Sequence, residues 1–388
     1  MNMLGEQLIT RVSTAFKLHF EGAHTCLVQA PGRVNLIGEH TDYNDGFVLP
    51  CALNYATVIA GKRREDGFVR VLAVDVDMDF DGFSLDEAIA YRRDKPWANY
   101  VRGMILELQR LGLEFGGMDL AIAGDVPRGA GLSSSASLEV AVGQAVKSLF
   151  GLDSLNAVQI ALAAQRAENN FVGCKCGIMD QLISAQGAAA HALLIDCRSL
   201  QTQQVALGNA AILVVHSRVA RGLVESAYNL RRQQCEEAAL YFGADALRDV
   251  TLPQLRAATS LDPIVQRRAR HVVTENQRTL DAAAALAAGD LNTMGQLMAA
   301  SHASMRDDFE ITVPAIDRLV AILQSNIGQS GGARMTGGGF GGCVVAVLPQ
   351  QLVAAASAAV STHYRAPDGQ QALIYACVAS AGAGSVNQ

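Results

Sequence analysis

The sequence predicts an α+β protein built from two compact domains. Its 388 residues exceed what one ordinary core accommodates and suit two domains of roughly 200 residues each. The first half alternates short segments rich in valine and alanine with helical patterns, whereas alanine-rich helical patterns dominate the second half. We expect a domain boundary near residue 205, which gives an N-terminal domain over 1–205 and a C-terminal domain over 206–388.

The elements of the first half follow from the spacing of apolar residues and from glycine or proline breaks. At its centre a strand, a glycine-rich turn and a strong helix stopped by Gly151 follow in order. The predicted elements are a helix at Leu4 to Phe20, a strand at Thr25 to Val28, strands between Phe47 and Asp79, a helix at Tyr100 to Leu111, a strand at Met118 to Ala123, helices at Ser134 to Phe150 and Asp153 to Phe171, and a strand at Ala192 to Cys197.

The second half opens with a predicted strand at Ala211 to His216, and helical patterns then prevail. A glycine cluster followed by strands closes the chain. The predicted helices are Leu223 to Phe242, Pro263 to Ala288, Leu291 to Met305 and Ile316 to Gln324.

Charge and hydropathy exclude several classes of protein. The formal net charge of −6 argues against a broad electrostatic contact with nucleic acid. No apolar run reaches the ~18 residues of a membrane span, and Met1 to Glu6 lack the basic and apolar regions of a secretory signal. We therefore expect a soluble, cytoplasmic, monomeric protein without nucleic-acid or membrane partners.

The eight cysteines are scattered, mostly in apolar segments, and predict reduced thiols. Cys174 and Cys176 form the one close pair. A zinc site at this pair would need a second pair or nearby histidines, which the sequence lacks, so a structural role is favoured.

The first of three segments with chemical character runs from Pro31 to Gly46 and concentrates charged residues between glycines. Glu39, His40 and Asp42 offer several hydrogen-bond acceptors and one donor within one turn, which suits a polyhydroxyl ligand such as a sugar. The alternative is a solvated charged face.

The second segment, Pro127-Arg128-Gly129-Ala130-Gly131-Leu132-Ser133-Ser134-Ser135-Ala136-Ser137, lies between a predicted strand and a long helix. Its backbone N–H groups and the helix N-terminus can cradle an anion such as phosphate. It lacks the Gly-Lys-Ser/Thr ending of a P-loop, and no H-R-D or D-F-G kinase set occurs. Helix capping by serine is the alternative interpretation.

The third segment, Arg334-Met335-Thr336-Gly337-Gly338-Gly339-Phe340-Gly341-Gly342-Cys343, has five glycines in six positions before a predicted strand. Such density indicates close backbone approach or positive φ angles.

Together and in this order, the three segments resemble those of the GHMP small-molecule kinases, and the first resembles the galactokinase signature in particular. The resemblance spans nearly the whole chain. Further similar stretches are Cys176-Gly177-Ile178-Met179-Asp180-Gln181, His191 to Arg198, Arg231 to Glu237 and Ser304 to Glu310. It implies the GHMP kinase fold, with an N-terminal α/β domain (ribosomal S5 domain 2-like), a C-terminal α+β domain, and the active site in the cleft between them.

The resemblance also implies an activity, transfer of the γ-phosphate of ATP to the C1 hydroxyl of galactose. In that mechanism Asp180 is the expected catalytic base. Arg33 is the second expected catalytic residue, since a permanent cation keeps Asp180 ionised and offsets charge on the transferring phosphoryl group. The expected sugar-binding residues are Arg33, Glu39, His40, Asp42, Gly177, Asp180 and Tyr228.

The same resemblance assigns the ATP phosphates to the second segment and Mg²⁺ to a loop serine and a helix glutamate, Ser134 and Glu168. Trp97 either borders the adenine or belongs to the core. The expected ATP-binding residues are Gly129, Ala130, Gly131, Leu132, Ser133, Ser134, Ser135 and Trp97.

Two alternatives remain at this stage. A kinase for N-acetylgalactosamine or another pyranose would share these motifs, because they do not determine the pocket wall at C2. A galactose sensor with this fold but without turnover is the other, although the serine run and Asp180 are intact.

Overall fold

A computed structural model describes residues 3–127, 129–219 and 224–386. Met1, Asn2, Arg128 and the predicted helix start at Leu223 lie outside these residues. The first layer is a six-stranded sheet in the order β13-β1-β3-β6-β4-β5. Its strands are β1 (Cys26–Asn35), β3 (Pro50–Arg63), β4 (Phe68–Ala73), β5 (Asp79–Ser84), β6 (Met118–Gly124) and β13 (Gly384–Ser385).

Helices pack on both faces of this sheet. Val12 and Phe16 of the first helix are buried against β3 and β6 with Val58 and Ala121, and the other helices cover the opposite face. The helices of this half are α1 (Met3–His19), α2 (Ala98–Arg110), α3 (Ser134–Phe150), α4 (Ala157–Arg166) and α5 (Met179–Gln186). A π-helical turn at Ala167–Val172 continues α4.

Two smaller sheets follow. The three-stranded sheet joins β2 (Phe47–Val48), β7 (His191–Asp196) and β8 (Thr202–Ala206), and the four-stranded sheet has the order β10-β11-β9-β12. The strands of the latter are β9 (Ala210–His216), β10 (Gly332–Thr336), β11 (Cys343–Pro349) and β12 (Leu373–Cys377).

The helices of the second half pack against the four-stranded sheet and against one another. They are α6 (Val224–Tyr241), α7 (Leu252–Ala257), α8 (Pro263–Ala287), α9 (Leu291–Asp307), α10 (Pro314–Ile327) and α11 (Val353–His363). Within the described residues, no helix combines the length and apolar character that crossing a membrane requires.

Apolar clusters lie in each half, and another joins the two halves. This joining cluster includes Leu36 and Leu49 of the first half and Val214, Met294 and Val345 of the second, all fully buried. The chain end also returns to the first half, where Gly384 of β13 pairs with Gln29 of β1. The boundary predicted near residue 205 falls within β8 and stays a prediction.

Candidate active site

The residues that the sequence analysis assigned to sugar binding line one cavity of about 250 Å³. They come from the end of β1 and the turn after it, from the start of α5 and the residues just before it, and from helix α6. Gly337 and Gly338 of the third segment close another part of the wall. The lining residues thus meet from both halves of the chain.

Asp180 and Arg33 form a bidentate ion pair at this cavity. Arg33 Nε donates to Asp180 Oδ1 at 2.6 Å and Nη2 donates to Oδ2 at 2.5 Å. The remaining Arg33 nitrogen, Nη1, donates to the Gly131 carbonyl at 2.5 Å. The fork geometry of a guanidinium fixes the carboxylate orientation, so Arg33 links Asp180 to the second segment.

The second segment packs directly on strand β1. The Arg33 N–H donates to the Leu132 carbonyl at 3.0 Å, and a Cβ on Gly32 would lie 2.7 Å from the same oxygen. Ser133 has a left-handed φ of 59° and makes no side-chain cap for α3. Its hydroxyl donates to Asp180 Oδ2 instead, so this serine does not serve the capping alternative.

Glu39 is buried against an arginine of the third segment. Arg334 is fully buried, its Nη2 donates to Glu39 Oε2, and its Nε donates to the Leu36 carbonyl at 2.9 Å. Burial raises the pKa of Glu39, whereas Arg334, Arg33 and the Gly337 N–H act in the opposite direction. This carboxyl therefore has a fixed cationic partner before any ligand arrives.

His40 lies in an aromatic cluster at the cavity wall. Its Nδ1 is 2.8 Å from the Tyr43 hydroxyl, and the Tyr228 and Phe309 rings lie 5.1 and 4.8 Å from its ring. Burial and the cations nearby lower the pKa of His40 to about 3, so the ring is neutral. Within the described residues its Nε2 has no hydrogen-bond partner, although the Gly338 backbone lies close to the ring. One polar atom of the ring is thus left for a ligand.

Asp42 and Gly177 meet at van der Waals contact. A Cβ on residue 177 would lie 2.0 Å from Asp42 Oδ2, so only glycine fits beside this carboxyl. Burial and the Asp180 charge raise the pKa of Asp42 to about 7. Asp42 therefore carries its proton for part of the time near neutral pH.

Glu168 lies in the π-helical turn, a rare geometry that often marks functional sites. Gln181 Nε2 donates to its Oε2 at 2.8 Å. Burial and the Asp180 charge raise the pKa of Glu168 to about 7, while hydrogen bonds from Ser135 and Cys176 oppose the rise. The serine that hydrogen-bonds Glu168 is Ser135, one residue after Ser134, whose role as metal ligand stays a prediction.

A second cavity of about 290 Å³ lies next to the second segment. Trp97, Ser134 and Ser135 contribute to its wall, together with apolar residues of β6. Trp97 is partly buried, and its Nε1 donates to Asp79 Oδ2 at 2.8 Å. The ring therefore both packs on the core and faces a cavity beside the loop.

Two residues next to the predicted site residues, Arg334 and Glu139, were not predicted from the sequence. Arg334 lies in the third segment, but its sequence does not reveal the partner Glu39. Glu139, fully buried on α3, lies beside Glu168 and Gln181. Groups of three or more His, Cys, Asp or Glu side chains suited to a metal ion do not occur in the described ranges.

Comparison with known proteins identifies three matching regions. Residues 14–63 match the family model of the galactokinase galactose-binding signature. Residues 99–188 match the GHMP kinases N terminal domain, and residues 282–366 match the GHMP kinases C terminal model. These regions contain the three segments of the sequence analysis.

The chain is 34% identical to the galactokinase of Lactococcus lactis, whose crystal structure contains galactose. The match covers 99% of this chain and 100% of that chain with a TM-score of 0.90. The mevalonate kinase of Methanococcus jannaschii is 19% identical, with 93% and 99% of the chains covered and a TM-score of 0.63. At that identity the likeness concerns the fold alone, and together the matches confirm the predicted GHMP kinase fold.

Proposed function

Because the chain belongs to the galactokinases of the GHMP kinase family, we propose that it transfers the γ-phosphate of ATP to the C1 hydroxyl of α-D-galactose. The products are α-D-galactose 1-phosphate and ADP. One observation carries the proposal, namely that Asp180 lines the sugar cavity and also accepts a hydrogen bond from Ser133 of the phosphate loop. A base at this position can accept the proton of a sugar hydroxyl on one side while the phosphoryl group lies on the other.

The chemistry assigned to Asp180 is acceptance of the C1 hydroxyl proton as its oxygen attacks phosphorus. Arg33 holds this carboxylate in one orientation and remains cationic through the reaction. Its position beside Gly131 also brings positive charge to the loop that would hold the phosphates. This charge opposes the negative charge that builds on the transferring group.

Sugar recognition is assigned to Glu39, His40, Asp42, Gly177 and Tyr228 around the cavity. A buried polar group that finds its partner only in a sugar hydroxyl discriminates strongly between epimers, because the wrong epimer leaves it unpaired. His40 Nε2 is such a group among the residues that the structure describes. We assign His40 to hydroxyl recognition because its neutral ring is buried in the aromatic cluster at the cavity wall.

The loop Gly129–Ser135 is assigned to the ATP phosphates, and the cavity beside Trp97 to the adenine. The donor set of a loop serine and Glu168 fits Mg²⁺, which takes few protein ligands besides phosphate oxygens and water. Mg²⁺ held there would neutralise charge on the phosphates. Ser134 was the serine first predicted, but the hydrogen bond to Glu168 favours Ser135.

The two serines can be separated by substitution. We expect Ser135→Ala to raise the Mg²⁺ concentration needed for half-maximal turnover by about tenfold, because a metal ligand is lost. Ser134→Ala is the matched control with the same chemical change one residue away. A larger rise of this Mg²⁺ concentration in Ser134→Ala than in Ser135→Ala would favour Ser134 as the metal ligand.

A kinase assay with a panel of sugars tests the function itself. We expect ATP-dependent phosphorylation of galactose, and little of glucose, its C4 epimer. Faster turnover of N-acetylgalactosamine than of galactose would overturn the substrate while leaving the kinase chemistry. Absence of any sugar-dependent ADP release would overturn the chemistry.

We also propose a monomer that acts in the cytoplasm and binds neither nucleic acid nor membranes. The net charge of −6 supports the absence of a nucleic-acid partner. The buried free thiols of Cys26, Cys51, Cys197 and Cys235 suit a reducing compartment. Light scattering after gel filtration tests the oligomeric state.

A further inference from the structure

Helix α8 presents buried polar side chains to the sugar-binding turn, which is the segment from Gly38 to Phe47 that carries Glu39, His40 and Asp42. None of the described residues of α8 lines the cavity itself. His271, Glu275, Asn276 and Thr279 share one face of this helix, and each is buried. His271, Glu275 and Asn276 hydrogen-bond backbone groups between Gly38 and Phe47, more than 200 positions earlier in the chain, and the Thr279 hydroxyl lies next to Gly38. The mechanism assigned above uses none of these four side chains.

Glu275 binds the backbone on the N-terminal side of the turn. Its Oε1 accepts the Gly38 N–H at 3.1 Å and the Glu39 N–H at 3.3 Å. Ser301 of α9 donates to the same oxygen at 2.6 Å, and Arg278 Nε donates to Oε2 at 2.7 Å. Glu275 is fully buried, and these donors keep it ionised.

His271 binds the same turn from the next helical turn of α8. Its Nε2 donates to the Glu39 carbonyl oxygen at 3.0 Å, and its Nδ1 lies 2.9 Å from Ser304 Oγ. Both the N–H and the carbonyl group of Glu39 are thus held by α8. Asn276 continues the contact further along, where its Oδ1 accepts the Phe47 N–H at 3.0 Å.

The backbone needs such support at this point. Gly38 and His40, on either side of Glu39, have left-handed φ angles of 92° and 61°. A non-glycine residue at such an angle carries strain that persists only where surrounding contacts hold it. Since Glu39 lies between two left-handed residues, a small change of its peptide orientation would redirect both its carboxyl and the His40 ring.

We propose that Glu275 is a positioning residue for sugar recognition. By fixing the Gly38 and Glu39 N–H groups it directs the Glu39 carboxylate and the His40 ring toward the galactose hydroxyls. The inference rests on the proposed function, because that function assigns Glu39 and His40 to the sugar. Glu275 thus holds the backbone of Glu39, and Arg334 holds its side-chain carboxylate.

Steady-state kinetics of the full-length Glu275→Gln variant tests this proposal. We expect the KM for galactose to rise about tenfold or more, since hydrogen bonds to a charged acceptor are weakened. The KM for ATP should stay within about twofold, because Glu275 hydrogen-bonds the Gly38 and Glu39 backbone and no described residue of α8 lines the cavity beside Trp97. Ser301→Ala, which removes one donor from the same carboxylate, should give a smaller rise in the same direction.

The matched control is Asp281→Asn, an acid-to-amide change at an exposed position of the same helix. It should leave both KM values unchanged. If Glu275→Gln does not fold, Ser301→Ala and His271→Gln carry the test. An unchanged galactose KM in folded Glu275→Gln, or equal rises in both KM values, would overturn the positioning role.

A double-mutant cycle on galactose binding separates positioning from general support of the fold. In a Glu39→Gln background, Glu275→Gln should weaken calorimetric galactose binding by much less than it does in the wild type. Full additivity would overturn the proposal. Failure of the wild type to phosphorylate galactose would instead refute the proposed function, and the two failures are therefore distinguishable.

Discussion

Asp180 is the residue on which the proposed chemistry depends most directly. Its two oxygens accept hydrogen bonds from Arg33 and from Ser133. An asparagine can keep part of this arrangement through its carbonyl oxygen, but it cannot accept the hydroxyl proton. We expect Asp180→Asn to lower kcat by about 10²–10⁴-fold while the calorimetric Kd for galactose changes only a few-fold.

Asp153→Asn, an acid-to-amide change at an exposed position, is the matched control for this variant. It should retain wild-type kcat. Turnover near the wild-type value in Asp180→Asn would refute the assignment as base. Loss of galactose binding in the same variant would make Asp180 primarily a sugar-binding residue.

Asp42 makes the stability of the ligand-free protein depend on pH, and the sign of this dependence follows from its raised pKa. Its pKa is raised to about 7 by burial and by Asp180, whereas in the unfolded chain it is about 4. Between these values the folded state binds more protons than the unfolded state. The contribution of Asp42 to the free energy of unfolding therefore falls as pH rises from about 4 to about 7.

Asp42→Asn removes this titration. We expect the difference in unfolding free energy, wild type minus Asp42→Asn, to decrease between pH 5 and 7 by at most about 1.4 kcal/mol per pH unit. Urea denaturation without sugar at several pH values measures it. A difference that stays constant over this range would contradict the raised pKa, and Asp153→Asn should show no such trend.

Residues within one motif could be predicted from the sequence, because the chain itself keeps Glu39, His40 and Asp42 together. The residues that hold Glu39 in place could not be predicted. Arg334 and Glu275 lie 295 and 236 positions from Glu39, and no local pattern indicates which buried charge meets which. The sequence could not decide between Ser134 and Ser135 for a different reason, since a run of equal residues does not reveal the side chain that turns toward Glu168.

At the scale of elements, the phosphate loop depends on its contact with strand β1. Gly32 provides this contact, because a Cβ there would lie 2.7 Å from the Leu132 carbonyl and 2.9 Å from Val126 Cγ1. The loop would have to move away, and the Arg33 N–H would lose its acceptor. We expect Gly32→Ala to raise the KM for ATP and to lower stability by about 1–3 kcal/mol.

Gly116→Ala is the matched control, since the nearest atom to its added Cβ would lie 3.8 Å away. Kinetics with ATP as the varied substrate and thermal unfolding measure both effects. An ATP KM equal to the wild-type value in Gly32→Ala would show that the loop position does not depend on this contact.

Helix α3 matches its predicted bounds because apolar spacing and Gly151, a left-handed C-cap, both mark them. The next helix differs from its prediction. It begins at Ala157 rather than at Asp153, because Asn156 and Gln159 form a capping box. Its π-helical end could not be predicted, since one additional residue per turn hardly changes the apolar pattern over six residues.

At the scale of the whole molecule, the two halves share a core. Val34, Leu36 and Ile37 of the first half are fully buried together with Val214 and Val345 of the second. Burying one large aliphatic side chain stabilises by about 1.5–3 kcal/mol. The free-energy cost of exposing only a few of these side chains would equal the net stability of an ordinary protein, about 5–15 kcal/mol.

We therefore expect that residues 1–209, which include β8 whole, do not fold alone. This fragment would lack both the partner surface of the shared core and strand β13, which pairs with β1 at Val28 and Gln29. It should bind a hydrophobic dye, lack near-ultraviolet circular dichroism and unfold without a cooperative transition, whereas the full chain should unfold in one step. A cooperative transition with native-like near-ultraviolet signal in the fragment would show instead that the first half is an independent domain. Its boundary near residue 205 would then be a folding boundary rather than only a division of the sequence.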